Sequence, residues 1–273
     1  MSSNRIDTPH LARLNSSTVK IQGNMDNKFR MYLTELLGTF FLVLVGAGTV
    51  CASALSSPPL PLTVLALAEG FTLAVVLTVT FHVSTGCLNP ALTIMLWVFK
   101  RIDNAQAGWL ILMQILGATL AGLVVRLTFN TSVFAEMHAG APHLAAFNPA
   151  SDSLKLPQLV SGTSFELFLT CLVALAAFAT LFDRRAPRLG GLMVGLAQSV
   201  AVLFGYRFTG GSANPARWFG PAVWEATVPG VTPPNWLAET VIYVGGPILG
   251  ALLAAVLYVN LILPPEKGTE SLR

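Results

Sequence analysis

The sequence predicts an all-α membrane protein in which six transmembrane helices and two half-helices form an inverted repeat. Three observations lead there. The 273 residues are 53% hydrophobic and only 11% charged, whereas an ordinary soluble domain carries about 25% charged residues. Apolar runs at 32–54, 62–82, 105–127, 162–182, 190–208 and 238–263 are each about 20 residues, the length a helix needs to cross roughly 30 Å of hydrocarbon. Two Asn-Pro-Ala triplets, Asn89-Pro90-Ala91 and Asn214-Pro215-Ala216, sit at matching places and each opens a run too short to cross. Paired short, Pro-interrupted apolar segments mark backbone that leaves regular helix to line a polar path near the bilayer midplane.

Residues 1–30 are polar and mixed, without the apolar core of a secretory signal, and read as a solvated tail. The first repeat, 31–129, holds three spans and a half-helix at 89–99. A connection at 130–161, rich in Pro, Ser and Ala, leads to the second repeat, 162–263, with its half-helix at 214–224, and 264–273 form a second tail. Glu35 opens Glu-Leu-Leu-Gly-Thr in the first span and Glu166 opens Glu-Leu-Phe-Leu-Thr in the fourth, at similar distances from their triplets. Each block has an odd number of spans, so the second inserts upside down relative to the first.

Basic residues set the orientation, because cytoplasmic loops retain Lys and Arg. Arg5, Arg13, Lys20, Lys28 and Arg30 precede the first span, Lys100 and Arg101 follow the second, Arg184, Arg185 and Arg188 join the fourth to the fifth, and Lys267 and Arg273 lie near the end. All fall on one side of six spans, so both termini are expected in the cytoplasm, and the protein is expected in a plasma or inner membrane. The net charge of +3 follows from this topology and gives no reason to expect a nucleic-acid partner.

Each half-helix begins with Pro, which suits a first turn whose N–H lacks a partner anyway. The preceding Asn caps that turn through its side-chain oxygen and keeps amide donors for something else. Small residues at Gln114-xx-Gly117-Ala118-xx-Ala121-Gly122 and Gly245-Gly246-Pro247-xx-Gly250-Ala251 let helix backbones approach, which supplies packing where lipid is as apolar as the side chains. Cys51, Cys87 and Cys171 lie in or beside membrane segments and suggest no disulfide framework. At membrane depth the sequence shows no Ser/His/Asp set, no Cys/His metal spacing and no phosphate-cradling glycine loop. It therefore points away from an enzyme and calls for no cofactor.

With these residues in view, the chain resembles the aquaporin, or major intrinsic protein, family. The likeness rests on both triplets, Glu35 and Glu166, His82-Val-Ser-Thr-Gly86, Thr209-Gly210-Gly211-Ser212, Arg217, Asp183-Arg-Arg185, the Gln114 segment and Tyr243-Val-Gly-Gly-Pro247, nearly the whole membrane region. It implies an hourglass pore in each protomer of a homotetramer in the lipid bilayer, passing water or small neutral solutes. The amides of Asn89 and Asn214 then meet at mid-membrane. Glu35, Glu166 and His82 hold the loops before them, in preference to a proton relay or a pH sensor. Cys87 stands between lining the inner vestibule and simple packing.

The family's constriction is lined by four positions, which counting places here at Glu69, Val202, Gly211 and Arg217. Depth agrees. Arg217 lies about 4.5 Å outward of Asn214 along its helix, and Glu69 and Val202 lie about 5 Å from the midplane. A central Arg costs about 2.5–3.5 kcal/mol to insert, which asks for a polar cavity or partner. Glu69 is the departure, since the family normally has an aromatic ring or His there. An ionised Glu69 either pairs with Arg217 in the pore or tilts away to backbone groups. Val202 and Gly211 leave room for a solute larger than water, and the atypical Glu69/Arg217 filter keeps ammonia, urea or another small polar solute as the alternative. Trp218, where glycerol-preferring relatives carry an acid, argues against glycerol. An ion-coupled transporter would need a coupling-ion site, which the membrane carboxylates do not suggest.

Overall fold

A computed structural model describes residues 25–84, 86–144, 155–183, 189–229, 231 and 233–263. Every regular element among them is helical, and six helical segments are long and apolar enough to cross a membrane. They are α1 (Met25–Ser53), α2 (Leu62–Thr80), α4 (Asn104–Thr128), α6 (Leu156–Ala177), α7 (Leu192–Thr209) and a composite last span. The half-helices are α3 (Pro90–Val98) and α8 (Pro215–Glu225). A short α5 (Thr131–Glu136) and a tight turn (His138–Gly140) lie in the crossover. The last span starts as α9 (Trp236–Thr240), widens through Val241–Gly245, continues as α10 (Gly246–Leu257) and ends in a second wide stretch, Tyr258–Ile262.

Two ends differ from the apolar pattern. The first helix starts at Met25, inside what reads as tail, and its candidate span begins at Asn27, because the polar residues of 25–31 are helix-compatible and continue the helix ahead of the apolar run. The fourth span starts at Leu156 rather than 162, because Pro157 takes the first turn and Gln158 accepts from the Lys155 amide. Both extend the helix beyond the continuous apolar run.

The repeat is visible in the packing. The helix α4 lies on α1 as α10 lies on α6, and α2 and α7 cross between the two halves. At the first pair of contacts a Cβ on Gly117 would strike the Leu36 carbonyl, and one on Gly250 would strike the Leu167 carbonyl. At the crossing, Gly70 and Gly195 each oppose the other's carbonyl oxygen. Glycine thus stands where backbone meets backbone, as close helix approach in lipid requires. The half-helices interleave the halves, α3 packing on α10 as well as α4, and α8 on α4. Large apolar side chains such as Leu37, Phe41, Val75, Val79, Phe168 and Phe204 remain exposed on the outside, as a lipid-facing surface demands.

Candidate pore and filter

The loops before α3 and α8 are built alike. Counting back from each Asn, the residue three before is a left-handed glycine, Gly86 (φ 64°) or Gly211 (φ 65°), and the residue one before is left-handed without being glycine, Leu88 (φ 46°) or Ala213 (φ 47°). Backbone in this state cannot satisfy its own N–H groups. One buried carboxylate in each half does so. Glu35 accepts from the amides of Cys87 (3.2 Å) and Leu88 (2.8 Å) and from Gln114 Nε2 (2.7 Å). Glu166 accepts from the amides of Ser212 (3.1 Å) and Ala213 (2.7 Å). A hydroxyl completes each set, Ser84 on Glu35 and Thr209 on Glu166. The expectation for His82 is corrected here, since its side chain is exposed and no hydrogen bond to it occurs among the described residues. Ser84, one helical half-turn on, can reach inward where His82 points out.

The two loops meet head to head. Asn89 Oδ1 accepts from the Ala91 amide and Asn214 Oδ1 from the Ala216 amide, both at 2.9 Å, which caps each half-helix. Asn89 Nδ2 donates to the Ala213 carbonyl and Asn214 Nδ2 to the Leu88 carbonyl, both at 2.8 Å. An amide carries two N–H groups, so each Asn is fixed across the junction by one and keeps a second. The N-termini of α3 and α8 converge there, each carrying about half a positive charge. Cys87, two residues before Asn89, is as buried as Asn89 itself.

The four positions found by counting lie together. Arg217 Nε is 3.0 Å from Glu69 Oε2, and both side chains are about 5% exposed. Gly211 adjoins Val202, where an added Cβ would stand 2.9 Å from the Val202 Cα. Three further groups escape sequence reasoning. Gln198 Nε2 donates to Glu69 Oε1 at 2.9 Å and to the Ser212 carbonyl at 3.2 Å. The Gly140 carbonyl accepts from an Arg217 terminal nitrogen at 2.8 Å. Gly46 on α1 backs the ion pair, because a Cβ there would lie 2.6 Å from Arg217 Nε and 2.7 Å from Glu69 Oε2. Gln198 precedes Val202 by one helical turn, a spacing that places both on one face. Gly140 and Gly46 leave no comparable signal.

Above this level the crossover docks on the end of α8. The buried Glu225 carboxylate meets His138 Nδ1 at 2.7 Å and His143 Nε2 at 2.9 Å. Burial opposes the charged imidazolium of His143, but its hydrogen bond to Glu225 and the nearby charges of Glu225 and Glu239 outweigh this and raise it to about 10. Burial likewise opposes charge on Glu225, and the two histidines overcome it to hold the carboxyl at about 2.

Six apolar spans folded around two half-helices that meet tip to tip are the architecture of a membrane channel. The family model for "Major intrinsic protein" matches residues 23–258. Aquaporin TIP4-4 of Zea mays is 33% identical over 250 residues, covering 89% of this chain and 90% of its own. Lens fiber major intrinsic protein of Rattus norvegicus is 33% identical over 247 residues, covering 89% and 84%. The X-ray structure of the aquaglyceroporin from Plasmodium falciparum superposes with a TM-score of 0.72 at 22% identity, covering 87% of this chain and 98% of that one. The chain belongs to the major intrinsic protein family. It is a passive channel for water or small solutes and not an enzyme.

Proposed function

We propose that each chain conducts water and other small neutral solutes through its own pore, past Asn89 and Asn214 at the centre and Glu69, Val202, Gly211 and Arg217 further out. The reciprocal fixing of the two Asn side chains carries this reading. With one N–H tied across the junction, the other is a positioned donor beside two positive helix ends, which favours a neutral molecule and repels cations. Glu35 and Glu166 serve as scaffold for the loops that present these amides. Cys87 lines the inner vestibule.

The Glu69–Arg217 pair supports a filter less positive than an unpaired arginine would make. At 3.0 Å and an effective dielectric near 20, the attraction is about 5–6 kcal/mol before desolvation is subtracted. Val202 and Gly211 place no large side chain opposite it, which favours passage of ammonia or urea beside water. The protein works as a homotetramer with both termini cytoplasmic, in keeping with the basic loops on one side. Stopped-flow measurements on proteoliposomes with water, ammonia, urea and glycerol test the reading. Water permeability should exceed that of protein-free vesicles and flux should rise linearly with the gradient; saturable or ion-dependent flux would replace the channel by a carrier.

A further inference from the structure

Outside the pore, the densest set of ligating side chains among the described residues is the one that ties the crossover to α8. One ring nitrogen each of His138 and His143 and a Glu225 oxygen all lie within 4.8 Å of one another. The Glu225 side chain is 2% exposed, His143 24% and His138 47%, so the set has a buried floor and one side open to solvent. We infer that His138, His143 and Glu225 form a binding site for a divalent transition-metal ion of the zinc class on the outer side of the candidate filter.

Three observations carry this. The donor set is two imidazole nitrogens and a carboxylate, a combination that suits zinc and its neighbours better than calcium or magnesium. The geometry is close, since tetrahedral zinc at about 2.0–2.1 Å from each ligand holds the ligand atoms roughly 3.4 Å apart. The Glu–His separations of 2.7 and 2.9 Å run to the two oxygens of Glu225, Oε1 to His138 and Oε2 to His143, so whichever oxygen coordinates has one short contact to open by roughly 0.5–0.7 Å. The remaining separations, all within 4.8 Å, close by at most about 1.4 Å, within reach of the exposed His138 side chain. The outer partner is also present. Glu239 Oε1 stands 3.6 Å from His143 Nδ1, while Glu239 Oε2 accepts from Trp218 Nε1 at 2.8 Å. A carboxylate beside the far nitrogen is the usual outer partner of a metal-bound histidine, and a closure of a few tenths of an ångström would let Glu239 accept from Nδ1–H while Nε2 faces the ion. The fourth position falls to water on the open side.

The site is joined to the candidate filter through covalent chain. His138 and Gly140 belong to one turn, and the Gly140 carbonyl holds Arg217. An ion between His138 and Glu225 would pin that turn to α8. This inference does not depend on which solute permeates.

The test is a calorimetric titration of tag-free, detergent-solubilised full-length protein with zinc chloride, with cobalt(II) absorbance as a second readout of coordination. One zinc ion should bind per chain, with proton release, and cobalt should give the strong visible bands of a low-coordinate nitrogen–oxygen site. His138→Ala and His143→Ala should each weaken binding at least about tenfold, and Glu239→Gln by about 10- to 100-fold through the outer contact. The double variant His10→Ala/His82→Ala should bind as wild type does. Absence of saturable zinc binding to the wild-type protein overturns the inference and leaves the cluster a simple tether. Stoichiometric binding that survives the loss of both His138 and His143, or that calcium displaces at equal concentration, overturns it as well.

Discussion

Gly46→Ala probes the Glu69–Arg217 pair without touching either partner. The new methyl would stand 2.6 Å from Arg217 Nε and 2.7 Å from Glu69 Oε2, whereas ordinary contact begins near 3.4 Å, so the pair must withdraw from α1 by about 0.8 Å. If the displacement is taken up in the pair itself, lengthening it from 3.0 Å to about 3.8 Å at an effective dielectric of 20 loses about 1 kcal/mol, roughly a fivefold change in the population of the paired arrangement. The atoms that must move are the ends of side chains, and Ala is the better helix former by about 1 kcal/mol, so the fold should survive. Stopped-flow water and urea permeabilities per reconstituted protein should shift several-fold, while the thermal midpoint stays near wild type. Gly48→Ala is the control, because nothing lies within 4 Å of a Cβ there. If Gly46→Ala and Gly48→Ala both match wild type in every permeability, α1 does not back the filter and the placement of the pair is wrong.

Other expectations are simpler to state. Asn214→Asp keeps the cap on Ala216 but sets a carboxylate against the Leu88 carbonyl, now 2.8 Å from the amide nitrogen. Water conduction should fall and cations should be less well excluded, and unchanged flux with unchanged ion exclusion in folded protein would count against the central donors. A mercurial should reduce flux in wild type and not in Cys87→Ser; inhibition that persists in the variant would move the sensitive thiol to Cys51 or Cys171. The crossover tether should show in stability against pH. His143 is raised, so its contribution is complete below about 6.5 and fades as pH climbs through about 10, while Glu225 is depressed, so its contribution is complete above about 4.5 and fades as pH falls through about 2. With a chelator present, the thermal midpoint of wild type should exceed that of Glu225→Gln most between about pH 4.5 and 6.5; an offset that stays constant from pH 4 to 10 would refute the assignment.

Much of the fold is legible because bilayer physics leaves few choices. An apolar run of sufficient length must be a helix, and Asn followed by Pro suits a cap and first turn, so the half-helices lie within a residue or two, and the spans within about seven, of where hydrophobicity and capping put them. Glu35 and Glu166 are legible through their matched positions, and Arg217 through the cost of burying it. Depth along a helix places Glu69 level with Arg217 across a separation of 148 residues. Depth does not say what holds the pair in place. Gln198 reads as an ordinary polar residue on a helix, and Gly46 as one small residue among many. The Gly140 carbonyl depends on a run of left-handed backbone at His138, Ala139 and Gly140, and Ala139 does not advertise that conformation. His82 misleads for a related reason: motif position brings it near the loop, but the turn after α2 directs it outward and gives the inner place to Ser84.

The most direct test of the account compares wild type with Glu69→Gln in proteoliposomes, measuring water, ammonia and urea permeability by stopped flow together with cation leak. Removing the carboxylate charge takes away the partner 3.0 Å from Arg217 and frees the guanidinium to change both the width and the field of the constriction. The account predicts that the variant folds, excludes cations at least as well as wild type, and shows permeability ratios among the three solutes that differ several-fold from those of wild type. Three identical permeabilities and an identical cation leak would contradict it, and would place Glu69 outside the filter.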